Sequence, residues 1–333
     1  MRKTALPFRQ AEAASLPVQD IARHAQGWLL DSEIRQLSPA TVANRKIILD
    51  KLVWFCRQHE FESCGLLELR QFLAYVSTGH EAEGGRWRNV NLTQKAKAGT
   101  AATYYGRLRS FFNFLVVEGV LDASPFATMR APVDRPDQIQ PFTQDQIGEL
   151  LVAAKRSRHP KRDHALVSFL LDTGVRASEL CDIRMRDVDL SGRRVRVLGK
   201  GNKERSVFFG ASTTKALWAY LREKKNRTDD TPLFLSDRGG KAGEAMTRSG
   251  VLQLVGRLGE AAELDATRCS PHTFRHTFAV EFLRNGGNLF SLQQLLGHTG
   301  LKQTQRYIAL ASADLEKQHR AYSPVDRLKG AGK

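Results

Sequence analysis

From Ser38 onward the apolar positions Val42, Leu49, Leu52, Val53 and Cys56 recur at three-, four- and seven-residue steps, the period of an amphipathic helix. Ser38 is suited to cap the first free amides and Pro39 fits the first helical position. Arg45, Lys46, Asp50 and Arg57 are expected on the opposite, solvent-facing side. Leu66–Val76 predicts a second helix and Thr103–Val117 a third, with Leu108, Phe111, Phe112 and Leu115 as its apolar side, Tyr104 and Tyr105 packed within the domain, and Gly119 at its end. The chain before this block lacks any pattern, so residues 1–16 are expected to form a flexible tail and 17–131 a helical domain.

Pro132, Pro136 and Pro141 then fall close together among Asp134, Arg135 and Asp137. Proline removes a donor and disfavours helix before it, which predicts an extended linker over 132–141. Thr143-Gln144-Asp145-Gln146 has the wording of a capping box and opens a second block, 142–333. There His164–Leu171 reads as helix broken at Thr173-Gly174, Arg194–Leu198 alternates as a strand, and Glu204–Phe209 gives a second strand joined to the first through Gly199-Lys200-Gly201-Asn202-Lys203. Helical periodicity returns from Thr247, and the segment from about 309 reads as a tail. The fold expected is mainly α with a small antiparallel β-sheet, in two domains.

Charge narrows the function class. Lys and Arg number 51 against 35 Asp and Glu, a formal net charge of +16 in 333 residues, so the field of the molecule attracts polyanions, nucleic acid foremost. The segment from His80 to Gly99 concentrates this excess, with Arg86, Arg88, Lys95 and Lys97 around Trp87 among glycines, and is read as a wrap for a phosphate backbone. Cys56, Cys64, Cys181 and Cys269 form no Cys-x-x-Cys pair, which argues against a zinc site and for a reducing compartment. No signal-peptide core or membrane-length apolar run is present. A cytoplasmic, nucleoid-associated protein without membrane contact is expected.

Four motifs in the second block carry the chemistry: Thr173-Gly174-Val175-Arg176-Ala177-Ser178-Glu179-Leu180, Gly199-Lys200-Gly201-Asn202-Lys203-Glu204-Arg205, His272-Thr273-Phe274-Arg275-His276-Thr277, and Leu295-Leu296-Gly297-His298-Thr299-Gly300 followed by Tyr307. Phosphodiester transfer needs a nucleophile, a proton donor for the leaving oxygen, and cations where charge develops. Two arginines, a lysine, two histidines and a tyrosine supply these roles with no metal and no cofactor. Gly199-Lys200 is not a phosphate-binding loop of the nucleotide hydrolases, because Arg194 stands where its first glycine is required. Glu179, three residues after Arg176, shares a helix face with it and can orient the guanidinium. His276 is expected to point away from His272 and Arg275 and to be a buried structural histidine. Lys203 and Arg205 are expected on backbone phosphates, together with Arg86, Lys95 and Lys97.

In this order the four motifs closely resemble the tyrosine recombinase (phage integrase) family, and the helical first block is similar to that family's core-binding domain. The resemblance implies a C-shaped clamp, a SAM-like helical core-binding domain plus a catalytic domain, around double-stranded DNA carrying specific recombination sites. It implies that Arg176 and Arg275 hold the scissile phosphate, Lys200 is the general acid for the leaving hydroxyl, His272 is the acid/base partner, His298 hydrogen-bonds the phosphate, and Tyr307 is the nucleophile of a 3′-phosphotyrosyl intermediate. It further implies a monomer that forms a homotetramer on synapsed DNA, with the tail docking on a neighbour. Two rival expectations are a type IB topoisomerase-like enzyme and a non-catalytic DNA-binding regulator.

Overall fold

The computed structural model describes residues 14–81, 84–133, 140–199, 203–223, 227–237, 243–264, 269–298, 300–311, 319 and 323. The chain divides into two units, Met1–Asp137 and Gln138–Lys333. Residues 134–139 of the expected linker lie outside the described residues, as do 1–13 of the expected N-terminal tail and most of the expected C-terminal tail, including Tyr322.

In the first unit Ser38 and Pro39 start a helix as their chemistry requires, the Ser38 hydroxyl accepting from the Thr41 amide. The helices are α1 (Val18–Ile34), α2 (Pro39–Gln58), α3 (Leu66–Ser77) and α4 (Ala98–Val117). Helix α4 begins five residues before the expected Thr103, because Ala98-Gly99-Thr100 continues the turn, and it ends two residues before Gly119, which takes φ +70°. Trp28, Leu52, Phe72, Leu108, Phe111 and Phe112 fill the core between them, each buried side chain of this size contributing roughly 1.5–3 kcal/mol. A two-stranded pairing of β1 (Leu16–Pro17) with β2 (Ser63–Cys64) fastens the start of the unit. Ala14 and Leu16 are therefore buried, which shortens the segment that was expected to be tail.

Two basic residues depart from expectation. Arg45, expected toward solvent, is 6% exposed; its guanidinium lies 4.3 Å over the Trp28 ring and donates to Ser32. A flat, delocalised cation on an indole face is stabilised by the ring quadrupole, which periodicity cannot foresee. Arg86, expected on DNA, is also 6% exposed, and its Nη2 donates to the carbonyls of Thr78 and Gln94 at 3.0 Å each. It holds the 80–95 loop closed from inside. Trp87 likewise faces inward, packed among Trp54, Phe72, Tyr75 and Tyr104. Lys95 and Lys97 remain exposed.

The second unit opens with the capping box at Thr143: the Gln146 amide donates to the Thr143 hydroxyl at 3.2 Å and the Thr143 amide to the Gln146 side chain at 3.0 Å. Its helices are α5 (Gln144–Lys155), α6 (Pro160–Thr173), α7 (Ala177–Asp182), α8 (Ala211–Leu221), α9 (Arg248–Ala261), α10 (Pro271–Arg284), α11 (Leu289–Leu296), α12 (Leu301–Gln305) and α13 (Ile308–Ala311). Helix α6 is central and packs on α5, α8 and α10. The strands β3 (Val188–Asp189), β4 (Arg194–Leu198) and β5 (Glu204–Phe208) form one antiparallel sheet in that order. In the hairpin Val195 pairs with Val207 and Val197 with Arg205, so the valines point into the core while alternate arginines face out. No helix among the described residues is long and apolar enough to cross a membrane.

Gly174 ends α6 in the left-handed region at φ +59°, and a Cβ there would stand 2.4 Å from the Phe278 ring. Gly174→Ala is expected to lose about 2–4 kcal/mol of stability from backbone strain and overpacking together. Urea unfolding checks this, and a loss below about 0.5 kcal/mol would contradict it.

Candidate active site

The turn at Gly174 sets the site. It redirects the chain out of α6 so that Arg176 becomes the first capping residue of α7, one turn before Glu179. The Arg176 guanidinium donates from Nη1 to Glu179 Oε1 at 2.7 Å, and the Arg176 amide donates to Oε2 at 2.8 Å. From β5, Arg205 adds a bidentate pair, Nη1 to Oε1 and Nη2 to Oε2, both 2.8 Å. Its Nε reaches the Leu295 carbonyl at 2.7 Å. Burial pushes the Glu179 carboxyl up, but the hydrogen bonds from Arg205 and the Arg176 amide outweigh it and hold the group at about 2. A carboxylate so bonded stays ionised.

Arg205 is thus a strut between hairpin and α11, not the outward phosphate contact expected from sequence. Its side chain also lies against the backbone of Gly297, where a Cβ would meet it at 3.1 Å. Lys203, just before β5, remains exposed. Lys200, the expected general acid, lies outside the described residues. Its neighbour Gly199 is beside the same cluster: a Cβ there would sit 3.4 Å from Arg205 Nη1 and 3.8 Å from Glu179 Oε1.

Helix α10 brings the third motif to the same place. Ser270 caps it and Pro271 opens it, the Ser270 hydroxyl accepting from the Thr273 amide. Arg275 is 4% exposed and donates to the carbonyl of Gly174 at 2.8 Å and of Leu296 at 2.6 Å. Burial, reinforced by the neighbouring Arg176, lowers its pKa to about 10, which leaves it cationic at neutral pH. His272, one turn earlier, is exposed.

The fourth motif closes the cluster. Gly297 ends α11 at φ +63°, and His298 follows with Nδ1 2.9 Å from the Thr304 hydroxyl. Burial, together with Arg275, Arg176 and Arg205, lowers the His298 pKa to about 4, so this imidazole is neutral at pH 7. Tyr307 is 4% exposed and packs on Ala279, Val280, Leu283, Leu292 and Leu296. Burial raises its phenol above the ordinary value, while Arg275, Arg306 and Arg176 pull the other way.

His276 also departs from the sequence expectation. His276 does not point away from the site: its Nδ1 lies 2.8 Å from the Tyr307 hydroxyl, the two rings 5.6 Å apart. The ring also faces His272, at 6.5 Å between centroids. Residues four apart on a helix share a face better than a strict opposite-side argument allows, so the step from 272 to 276 was the available signal. Thr304 and Arg306 were missed as well, having no spacing signal of their own.

Arg176, Glu179, Arg205, Arg275, His298 and Tyr307 therefore converge, although they come from four motifs. What they form is a nest of fixed cations around a phenol, suited to an anion that develops extra charge during reaction.

Known proteins match this chain along most of its length. The family model for the phage integrase family matches residues 140–314. A tyrosine recombinase XerC of Shewanella amazonensis is 30% identical over 300 residues, covering 89% of this chain and 94% of that protein. Another, from Actinobacillus pleuropneumoniae, is 32% identical over 267 residues, covering 77% and 86%. Among solved structures, a Tn1549 transposon integrase in complex with transposon right end DNA covers 92% of this chain and 100% of its own at a TM-score of 0.65 and 18% identity. A lambda integrase dimer bound to a core site covers 85% and 96% at 0.64 and 18%; both share the mostly helical, two-domain fold. With the site assembled from its four motifs and the sequence matched over its length, the chain belongs to the phage integrase family of tyrosine recombinases.

Proposed function

We propose that this tyrosine recombinase cuts and rejoins double-stranded DNA at a specific site through a phosphotyrosyl link to Tyr307. The observation that carries the reading is that three motifs meet in one pocket: Glu179 holds Arg176, Arg275 bonds the carbonyls of Gly174 and Leu296, and Tyr307 packs in the cluster that contains Leu296. A scissile phosphate placed between Arg176 and Arg275 meets two guanidiniums, each held by the fold before the substrate arrives. Arg176 is fixed by Glu179, and Arg275 by two backbone carbonyls. Donors fixed in advance do not have to reorganise when charge builds on the non-bridging oxygens.

The step runs as a displacement at phosphorus. The Tyr307 oxygen bonds to phosphorus and loses its proton, the bond from phosphorus to the 5′ oxygen breaks, and that oxygen leaves as a hydroxyl after receiving a proton from Lys200. A 5′-hydroxyl from a partner strand reverses the sequence and frees the tyrosine. Bond energy is stored in the phosphotyrosyl ester, so neither nucleotide nor metal is required for rejoining. His272 serves as the acid/base partner, His298 hydrogen-bonds the phosphate, and Glu179 positions Arg176. The helical unit, 17–131, serves as the core-binding domain and 142–333 as the catalytic domain. Lys95, Lys97 and Lys203 meet its backbone. Two sites are joined by four protomers, monomeric before they meet DNA, and the protein works in the cytoplasm on the nucleoid.

Covalent trapping tests the reading. Sheared genomic DNA from the host, incubated with the full-length protein and stopped with detergent, yields adducts whose sequence gives the site; nicked duplexes of that sequence then trap cleavage. Tyr307→Phe is expected to bind these duplexes within about twofold of wild type, since one hydroxyl adds little to a phosphate-dominated affinity, and to form no adduct. Normal adduct yield from that variant would sink the assignment. A 5′-bridging phosphorothioate, whose thiol leaves without protonation, is expected to restore cleavage by Lys200→Ala at least about tenfold more than cleavage by Arg176→Ala. Equal rescue of the two would remove the acid role from Lys200.

A further inference from the structure

A neutral phenol is a poor nucleophile, and this one is made less acidic by its burial. Attack on phosphorus therefore needs a group that takes the proton as the new bond forms. That acceptor has to lie within hydrogen-bond reach of Tyr307 Oη. Among the described residues one titratable side chain bonded to that atom is recorded, His276, with Nδ1 at 2.8 Å. We propose that His276 is a catalytic residue of strand transfer, its Nδ1 accepting the Tyr307 proton during cleavage and returning it when the strand is rejoined.

Geometry and charge both bear on this. The ring stands on α10 between His272 and Val280, half-buried, and its Nδ1 points at the phenol rather than at a backbone carbonyl. With the proton on Nε2, Nδ1 offers a lone pair to the phenolic O–H. The charged and titratable groups acting on it are His272 and Arg275 from its own helix, Arg306 from the turn after α12, and Tyr307 itself, while Arg176 acts on the phenol. Burial, then His272, Arg306 and Arg275, lower the His276 pKa to about 4. The imidazole therefore holds its lone pair at neutral pH.

So weak a base would accept a phenolic proton reluctantly in the empty site. Substrate changes that balance. A phosphodiester seated on Arg275 and Arg176 brings a negative charge beside the cations that depress His276, which raises the proton affinity of the ring when a proton has to be taken. The transfer balances: the O–H bond of Tyr307 breaks, an N–H bond forms on His276, the oxygen bonds to phosphorus, and the 5′ oxygen leaves with a proton from elsewhere in the site. Rejoining runs each step backward, and His276 ends neutral. On this proposal the proton-accepting role that the resemblance gives His272 passes to His276, and His272, exposed one turn away, is left to the phosphate.

The inference rests on Tyr307 being the nucleophile, so its test uses the nicked duplexes that wild-type protein is shown to trap. Absence of any wild-type adduct would fail that reading, whereas the behaviour of His276→Asn tests this one. Asparagine places an oxygen near the Nδ1 position and keeps a hydrogen bond to Tyr307, but takes up no proton. Single-turnover cleavage by His276→Asn at about pH 7 is expected to fall on the order of 100-fold with duplex binding unchanged. Wild-type cleavage is expected to be level above about pH 7, past imidazole titration, whereas the variant should gain about tenfold per pH unit up to about pH 9, because the phenol must then ionise unaided. A fluorinated, more acidic tyrosine at 307 in the His276→Asn background is expected to recover at least about tenfold. His272→Asn should slow cleavage and keep the level profile. Wild-type rates from His276→Asn, or a slowed rate with an unchanged pH profile and no gain from the acidic phenol, would overturn the proposal. So would the rising profile appearing in His272→Asn instead.

Discussion

A carboxylate that is 3% exposed accepts four hydrogen bonds from two arginines. Glu179 is where α7, the β4–β5 hairpin and, through Arg205, the end of α11 are tied together. Without its negative charge, Arg176 and Arg205 would face each other and Arg275 in a pocket with little water to screen them. The depression of its carboxyl from the ordinary glutamate value to about 2 corresponds to roughly 3 kcal/mol of folding stability. Because the folded-state value is lowered, that contribution is fully present above about pH 4.5 and is lost as pH falls toward 2. The cations of the site are thus held in position before any phosphate arrives.

Holding cations together has a second effect, on the groups meant to exchange protons. Burial combined with Arg176, Arg275 and Arg205 keeps His298 neutral, and burial with His272, Arg306 and Arg275 keeps His276 neutral. The phenol of Tyr307 is held protonated by burial against the pull of the same arginines. An empty site is therefore rich in fixed charge and poor in mobile protons. In the proposed mechanism a bound phosphodiester supplies the missing negative charge, and the site becomes competent for proton exchange only with the backbone it acts upon. Substrate binding and activation of the nucleophile are then one electrostatic event.

Local chemistry was readable in the residues themselves. Ser38-Pro39, the Thr143 to Gln146 capping box, the Arg194 and Glu204 strands and the stops at Thr173-Gly174 and Gly119 all depend on neighbours within a few positions, where propensity and periodicity act. What escaped was partnership across long stretches of chain. Arg45 and Arg86 look like surface charge, yet one lies on Trp28 and the other closes a loop on carbonyls of Thr78 and Gln94. Arg205 sits 26 positions from the carboxylate it grips, and no spacing rule connects a hairpin strand to a helix cap. His276 failed for a different reason. Helical geometry sets it only against His272 and Arg275, whereas the decisive neighbour, Tyr307, arrives 31 residues later on another element. The motif order pointed to the right chemistry; only the folded site distributes it among atoms.

One covalent bond, between Tyr307 and the DNA, carries the proposed chemistry. Digesting the trapped protein–DNA adduct with protease and sequencing the modified peptide by mass spectrometry locates that bond and shows which end of the DNA it holds. The expected result is a single modified residue, Tyr307, carrying the 3′-phosphate of the cleaved strand opposite a free 5′-hydroxyl. A link at Tyr322 or any other residue, or attachment through a 5′-phosphate, would contradict it.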